Sequence, residues 1–417
     1  MLASVITLGC KVNEYESQSI LNQLKSVGYE ITEGLVKADV YIINTCAVTN
    51  TAERKSRQVM SKIAKLNGDA KIIVCGCAVQ NNPSQFLTNK NVIAITGNAG
   101  KEEILKFIEK ENKVLPEIDH KCYKKMARPI ETRTRQFIKI QDGCDFFCSY
   151  CLIPYVRGRS RSRDLDDIID EIKSTQANEI VLTGINMSDY KINGELALKT
   201  LVKEVDKSNK RFRISSIECL ALDDEMLEIL ANSKNFCPHF HLSLQSASND
   251  TLKRMNRHYT IEEFKNIVKK IKAKFNLPHI ATDIIVGFKG ETDEEFDETL
   301  KNVEEIEFSS MHIFPYSERS GTVASKMSGE IDKCTVKQRE SVLHELNQRF
   351  RQKFLAENKN TKHKVLIEEY DGKNSLGYTE NYIYTYIKGK HKIGEIVDVI
   401  LKDNYLNGMN AEIIKGE

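Results

Sequence analysis

The chain has 417 residues and a net charge of +2, from 61 Lys and Arg against 59 Asp and Glu. That length exceeds one ordinary domain and suits two or three, and 41% hydrophobic with 29% charged residues is a globular balance, not a disordered or fibrous one. The near-neutral charge leaves any nucleic-acid affinity to local patches, and no run approaches the roughly 18 apolar residues of a membrane helix.

Three apolar, β-branched runs open the chain, at 4–8, 39–44 and 71–74. Helical patterns lie between them at 14–27 and 52–66, with a last helix at 102–111, and this alternation predicts a parallel α/β sheet. Residues 113–135 combine Lys, Arg and two Pro without periodicity and read as a linker. Strand-like runs resume at 137–141, 179–183, 211–217, 239–244, 280–286 and 311–314. Helical patterns follow most of them, for example at 165–174, 223–231, 261–275 and 293–306. Six β/α units predict a partial barrel whose site lies at the C-terminal strand ends. A charged connecting helix is expected over 338–357. Short alternating runs at 365–368, 383–387 and 396–400, separated by Gly and Asn, then predict a small all-β module. The expected division is therefore 1–112, a linker 113–135, 136–357 and 358–417.

The 11 cysteines are an odd number spread over a long chain without a basic flank or small-residue cleavage site at its start. A cytoplasmic protein with reduced thiols used as ligands or catalysts is expected, not a disulfide scaffold. Cys144, Cys148 and Cys151 form C-x₃-C-x₂-C directly after the first strand of the second unit. Chance gives that spacing in such a chain roughly 0.8% of the time, so accident is a poor account. A redox pair would leave Cys144 idle, and zinc would want a fourth ligand nearby. Three thiolates around an iron–sulfur cluster, with one iron left open to a substrate, fit better. Cys10, Cys46 and Cys77 each follow one of the first three strands. Parallel strands deliver their carboxyl ends to one edge, about 4.8 Å apart, so three thiols there could share a second cluster. Cys75 lies on the same alternation as Cys77, and spacing does not choose between them. Cys122, Cys219, Cys237 and Cys334 are isolated and read as structural.

The motifs Thr7-Leu8-Gly9-Cys10-Lys11-Val12-Asn13, Asn44-Thr45-Cys46-Ala47-Val48-Thr49 and Gly76-Cys77-Ala78-Val79-Gln80 resemble the N-terminal domain of the methylthiotransferases. Gly143 to Tyr155 resembles their radical S-adenosylmethionine loop, and Leu244-Gln245-Ser246, Thr282 to Phe288 and Phe314-Pro315-Tyr316-Ser317 extend the match. The last module is similar to a TRAM domain, an RNA-binding β-barrel. The sequence departs from the family pattern at Ala247, Lys289 and Cys219, none of which is a cluster ligand.

The resemblance implies two [4Fe-4S] clusters, on Cys144, Cys148 and Cys151 and on Cys10, Cys46 and Cys77, and it selects Cys77 over Cys75. It also implies two molecules of S-adenosylmethionine per turnover, with Tyr150, Thr183, Gly184, Asn186 and Gln245 as candidate contacts. The form Cys10-Lys11-Val12-Asn13 is similar to enzymes that methylthiolate C2 of N6-threonylcarbamoyladenosine at position 37 of tRNA. The implied partners are a tRNA anticodon stem-loop and an electron donor such as flavodoxin or ferredoxin, with no membrane. Arg157, Arg159, Arg161 and Arg163 alternate with small residues, so an extended run would present four guanidinium groups on one side to phosphates or a carboxylate. Tyr378, Tyr382, Tyr384 and Tyr386 beside Lys388, Lys390 and Lys392 suit an RNA stacking platform.

Overall fold

In the computed structural model, which describes residues 1–131 and 133–414, the first apolar runs pair in parallel as β1 (Leu2–Thr7), β3 (Val40–Thr45) and β4 (Lys71–Gly76). All six residues of β3 are buried. Helices cover both faces of a parallel sheet, so its central strand reads as an unbroken apolar run. Two short strands complete the order β2-β1-β3-β4-β5. These are β2 (Glu30–Glu33) and β5 (Val92–Ile95). Neither is evident from pattern, since β2 is a charged edge strand and β5 has four residues. Helix α1 (Lys11–Ser26) follows β1, and α2 (Asn50–Leu66) follows β3 with Thr49 as its cap.

The second unit contributes β6 (Arg135–Lys139), β7 (Glu179–Thr183), β8 (Arg211–Ile214), β9 (His239–Gln245), β10 (His279–Val286) and β11 (Ser310–Pro315). They form two parallel triplets, β8-β7-β6 and β9-β10-β11. The bridges Phe212↔Phe236 and Ile217↔Leu242 join the triplets, giving a six-stranded partial barrel. Among the described residues β6 and β11 do not pair, which leaves the barrel open along one side. The N-terminal unit spans that opening. On one lip α1 packs against β6. On the other, the Asn50 N–H donates to Ser317 Oγ at 3.1 Å and Glu53 pairs with Arg319, both just past β11.

A long helix, Lys333–Glu357, starts five residues before the expected 338 because Asp332 Oδ1 accepts from the N–H groups of Cys334 and Thr335. It leads to a closed five-stranded barrel spanning Lys362–Tyr370, Asn374–Thr379, Tyr384–Lys388, Ile396–Tyr405 and Gly408–Ile413. This barrel seats on the N-terminal ends of the core strands. Arg213 of β8 donates to the carbonyls of Thr379 and Glu380 at 2.7 Å each, Arg135 of β6 pairs with Glu368 at 2.6 Å, and Tyr382 stacks on His239 at 4.1 Å. No described helix is long and apolar enough to cross a membrane.

Candidate active site

Strand ends assemble the first sulfur set. Cys10 precedes α1, Cys46 follows β3, and Cys77 opens the short helix Cys77–Asn81 after β4. Gly9, at φ +109°, approaches Cys46 so closely that a Cβ there would sit 2.9 Å from Cys46 Sγ. Only glycine fits this contact. Strict alternation would put Cys75 and Cys77 on one face, and the structure separates them. The strand ends at Gly76, whose φ of +97° turns the chain. Cys75 is left in the core beside Val5, Ile42 and Ile73, and Cys77 emerges on the opposite side with Ile43, Val74 and Val156. Anaerobic iron counting is expected to read this difference. Cys77→Ala should lose about half the iron, whereas Cys75→Ala should keep it and lose only a buried sulfur, about 1 kcal/mol of stability.

The second set sits on the loop after β6. Gly143, at φ +76°, passes against the Arg159 carbonyl, where a Cβ would lie 2.0 Å from the oxygen. Asn256 Nδ2 donates to the carbonyls of Phe146 and Phe147, and Ser149 Oγ donates to the Arg254 carbonyl at 2.8 Å. Gln141 ties this loop to the end of β7. Its Oε1 accepts from the N–H groups of Ile185 and Asn186, while its Nε2 donates to the Gly143 carbonyl at 2.7 Å.

One local pattern recurs in both sets. Cys46, Cys144 and Cys151 each accept from the backbone N–H two residues onward, at 3.5, 3.5 and 3.4 Å. Cys148 accepts from Arg257 Nη1 at 3.2 Å and Cys77 from Asn98 Nδ2 at 3.4 Å. Burial, helped by the neighbouring thiols, pushes Cys46 and Cys151 up to about 12 and Cys144 to about 11. Thiolates so placed require a cationic partner, and sulfurs ringed by N–H donors are the ligand chemistry of iron–sulfur clusters. The donor set fits that group. Arg257 and Asn98 carry no signal in sequence, because neither stands at a ligand spacing.

The two sets are joined. The helix opening at Cys77 packs on the turn Ile153–Val156 that follows Cys151, and Asn98 Nδ2 also donates to the Val156 carbonyl at 2.8 Å. Behind them lies a buried charge network. Glu16 of α1 meets Lys101 at 2.5 Å, Lys139 at 2.7 Å and Arg157 at 2.8 Å, and Asp142 meets Lys139 at 2.7 Å and Arg157 at 2.9 Å. Burial alone would raise Glu16, but Arg157, Lys101 and Lys139 hold it well below the usual carboxylate range. Three cations face two anions, a residual positive charge beside Cys77 that suits an anionic thiolate cluster.

The arginine run is corrected by this geometry. Arg157 is 0% exposed and bound to Glu16, Asp142 and Asn13, and Arg163 is buried against Asp167 and Glu171. Arg161 turns back onto the carbonyls of Arg157 and Arg159. Arg159 alone is exposed, over the Phe147 ring. The run is extended only at Arg161–Ser162, which pairs with Gln141–Asp142. Four guanidinium groups on one side do not form, and Arg157 and Arg163 do not face a ligand.

The other candidates lie at strand ends. Thr183 ends β7 and is buried. Gly184 has Met187 and Gln141 against its vacant Cβ direction, and Asn186 Nδ2 is buried without a partner. Gln245 ends β9 at φ +70°, and Tyr150 meets Phe288 edge-on at 6.4 Å. The lumen beneath is a cavity of about 1650 Å³ reached by Lys11, Arg213, His239, His241, His279 and His312. Within it His241 Nε2 and His312 Nδ1 lie 3.2 and 3.1 Å from Asp283 Oδ1. Burial opposes the Asp283 charge, yet the two imidazoles hold this carboxylate below its usual range.

A partial barrel with a three-thiol loop at its C-terminal edge, bridged by a domain bearing a second thiol set, defines a radical S-adenosylmethionine enzyme. Residues 138–303 match the Radical SAM superfamily, and residues 3–97 match Uncharacterized protein family UPF0004. The chain is 38% identical to the threonylcarbamoyladenosine tRNA methylthiotransferase MtaB of Bacillus subtilis, over 96% of this chain and 93% of that one. It is 33% identical to the tRNA-2-methylthio-N(6)-dimethylallyladenosine synthase of Natranaerobius thermophilus, over 98% and 96%. Among solved structures, the radical S-adenosylmethionine methyltransferase TsrM from Kitasatospora setae shares the fold, with a TM-score of 0.56 and 13% identity over 75% of this chain and 74% of that one. The chain belongs to the tRNA methylthiotransferases, and it is an enzyme of that family.

Proposed function

We propose that the enzyme adds a methylthio group to C2 of N6-threonylcarbamoyladenosine in tRNA, at position 37 beside the anticodon. The observation that carries this reading is the character of the lumen. Its wall offers the imidazoles of His239, His241, His279 and His312 and the ammonium of Lys11, which a polar ureido acid can satisfy. A dimethylallyl group would strip water from them and return no hydrogen bond. The MtaB relatives and the Cys10-Lys11-Val12-Asn13 motif support the same choice.

Cys144, Cys148 and Cys151 are the proposed ligands of one [4Fe-4S] cluster, and Cys10, Cys46 and Cys77 of the other. The clusters and two molecules of S-adenosylmethionine supply one-electron chemistry, sulfur and the methyl group when bound. The chain does the rest. Arg257 donates to Cys148 and supplies positive charge, Asn98 donates to Cys77 and orients it, and Gln141 fixes the Thr183–Asn186 turn against the Cys144 loop. Thr183, Gly184, Asn186, Gln245 and Tyr150 are proposed to cradle S-adenosylmethionine, a role supported by the unpartnered Asn186 amide. The C-terminal barrel, whose tyrosines line the mouth of the lumen, is the proposed seat of the anticodon stem-loop. A small reductant such as flavodoxin or ferredoxin would feed electrons, in the cytoplasm where tRNA is processed.

The test is anaerobic turnover with two tRNAs that differ only in the N6 group, scored by nucleoside mass. Methylthiolation of the threonylcarbamoyl form, at least tenfold faster, is expected. Equal rates, or preference for the dimethylallyl form, would overturn the reading.

A further inference from the structure

Lys11 is the first residue of α1, directly after Cys10, and its side chain reaches the barrel lumen where it remains exposed. Three of the other strong cations lining that cavity are held by carboxylates. Arg213 is held by Glu179 at 2.8 Å, Arg135 by Glu368 at 2.6 Å and Arg133 by Glu14 at 2.9 Å. Arg351, which donates to the Asn407 carbonyl, and Lys392, in the loop between the third and fourth strands of the C-terminal barrel, make no ion pair among the described residues, but neither stands beside a proposed cluster ligand as Lys11 does. Lys11 makes no ion pair among the described residues. Burial in the lumen opposes its charge, and the charged and titratable groups facing it include Tyr382, Arg135, Cys10, Asp283 and His239; Asp283, the one carboxylate of these, is already taken by His241 and His312.

We infer that Lys11 is the specificity-determining residue of the pocket, its ammonium holding the carboxylate of the N6 threonyl group. The inference rests on the threonylcarbamoyl reading and deepens it. The chemistry of the base sets the geometry. The reacting carbon, C2, must come to the Cys10 side of the site, and C6, which bears the substituent, is separated from C2 by a single ring nitrogen. A carboxylate carried on N6 then lies within reach of a long side chain rooted beside Cys10. A lysine supplies a compact charge on a flexible stem, which can follow the substituent as the base docks. The buried arginines of the 157–163 run cannot do this, because Arg157 is bound by Glu16 of the N-terminal unit and Arg163 by Glu171 of the core.

The experiment uses cluster-loaded, full-length enzyme and two tRNAs, one with threonylcarbamoyladenosine and one with its threonyl carboxylate capped as the primary amide. Capping should lower wild-type kcat/KM by roughly 10- to 100-fold, the range for a charge-assisted contact. Lys11→Met should lose a similar factor on the uncapped tRNA and respond less than threefold to the cap. Lys11→Arg should recover part of both effects. Iron content of each variant reports whether its clusters are intact. A wild-type enzyme indifferent to the cap overturns the assignment, whatever happens to the variants. So does a Lys11→Met enzyme of normal iron content that is as sensitive to the cap as wild type. Wild-type enzyme inert on the uncapped tRNA but active on the dimethylallyl form overturns the substrate reading and this assignment with it.

Discussion

Replacing Cys144, Cys148 and Cys151 together by Ala is expected to leave about half the iron of the reconstituted wild type and to abolish cleavage of S-adenosylmethionine. The expectation follows from two sulfur sets held by different elements. The first depends on the ends of β1, β3 and β4, and the second on the loop after β6, anchored by Ser149, Asn256 and Arg257. Nothing in the second loop supplies a sulfur to the first, so roughly four of about eight irons should remain. Iron staying near eight would sink the two-site assignment. Complete loss of iron from a folded variant would show instead that the sites assemble as one unit.

The second large effect concerns Glu16. Its carboxylate is 2% exposed and meets Lys101, Lys139 and Arg157 at once. Glu16→Ala would leave three buried cations facing Asp142 alone, and breaking a buried pair in this way costs about 3–5 kcal/mol. A fall in Tm of about 3–6 °C follows for a protein this size, with loosening of the N-terminal unit from the barrel. The same residue predicts a pH dependence. Its folded value is depressed below the ordinary 4.5, so its stabilisation is fully present above about pH 4.5 and is lost as pH falls toward the folded value. Melting between pH 7 and 4 should show wild-type stability declining only at the acid end, and Glu16→Gln should flatten that decline. A Glu16→Ala protein as stable as wild type would mean that the network is water-filled and energetically idle.

Regular elements were legible where local pattern and tertiary environment agree. Residues 165–174 and 293–306 are helices with those bounds because Asp164 and Thr292 cap them and their apolar faces meet the barrel. The strand at 179–183 is buried throughout, and its apolar centre, Ile180–Leu182, marks it. Short strands escaped notice for opposite reasons: Glu30–Glu33 is polar because one edge faces water, and Gly408–Ile413 is broken by Gly and Asn because it closes a small barrel. Cysteine spacing marked both thiol sets, since ligand geometry is local to a loop or to matching strand ends. The arginine run misled because alternation says nothing about acids arriving from elsewhere in the chain. Glu16 lies 141 residues before Arg157, and only the docking of two domains brings them together. Alternation left Cys75 and Cys77 equivalent, and the left-handed turn at Gly76 is the physical reason that they face opposite ways.

The most direct test is nucleoside mass spectrometry of total tRNA from cells with the gene, without it, and without it but expressing the Cys77→Ala variant. 2-Methylthio-N6-threonylcarbamoyladenosine is expected to disappear on deletion and to stay absent with the variant. Its unthiolated precursor should accumulate, while methylthio-dimethylallyladenosine is unchanged. Persistence of the threonylcarbamoyl product, or loss of the dimethylallyl product in its place, would show that this enzyme does not methylthiolate threonylcarbamoyladenosine.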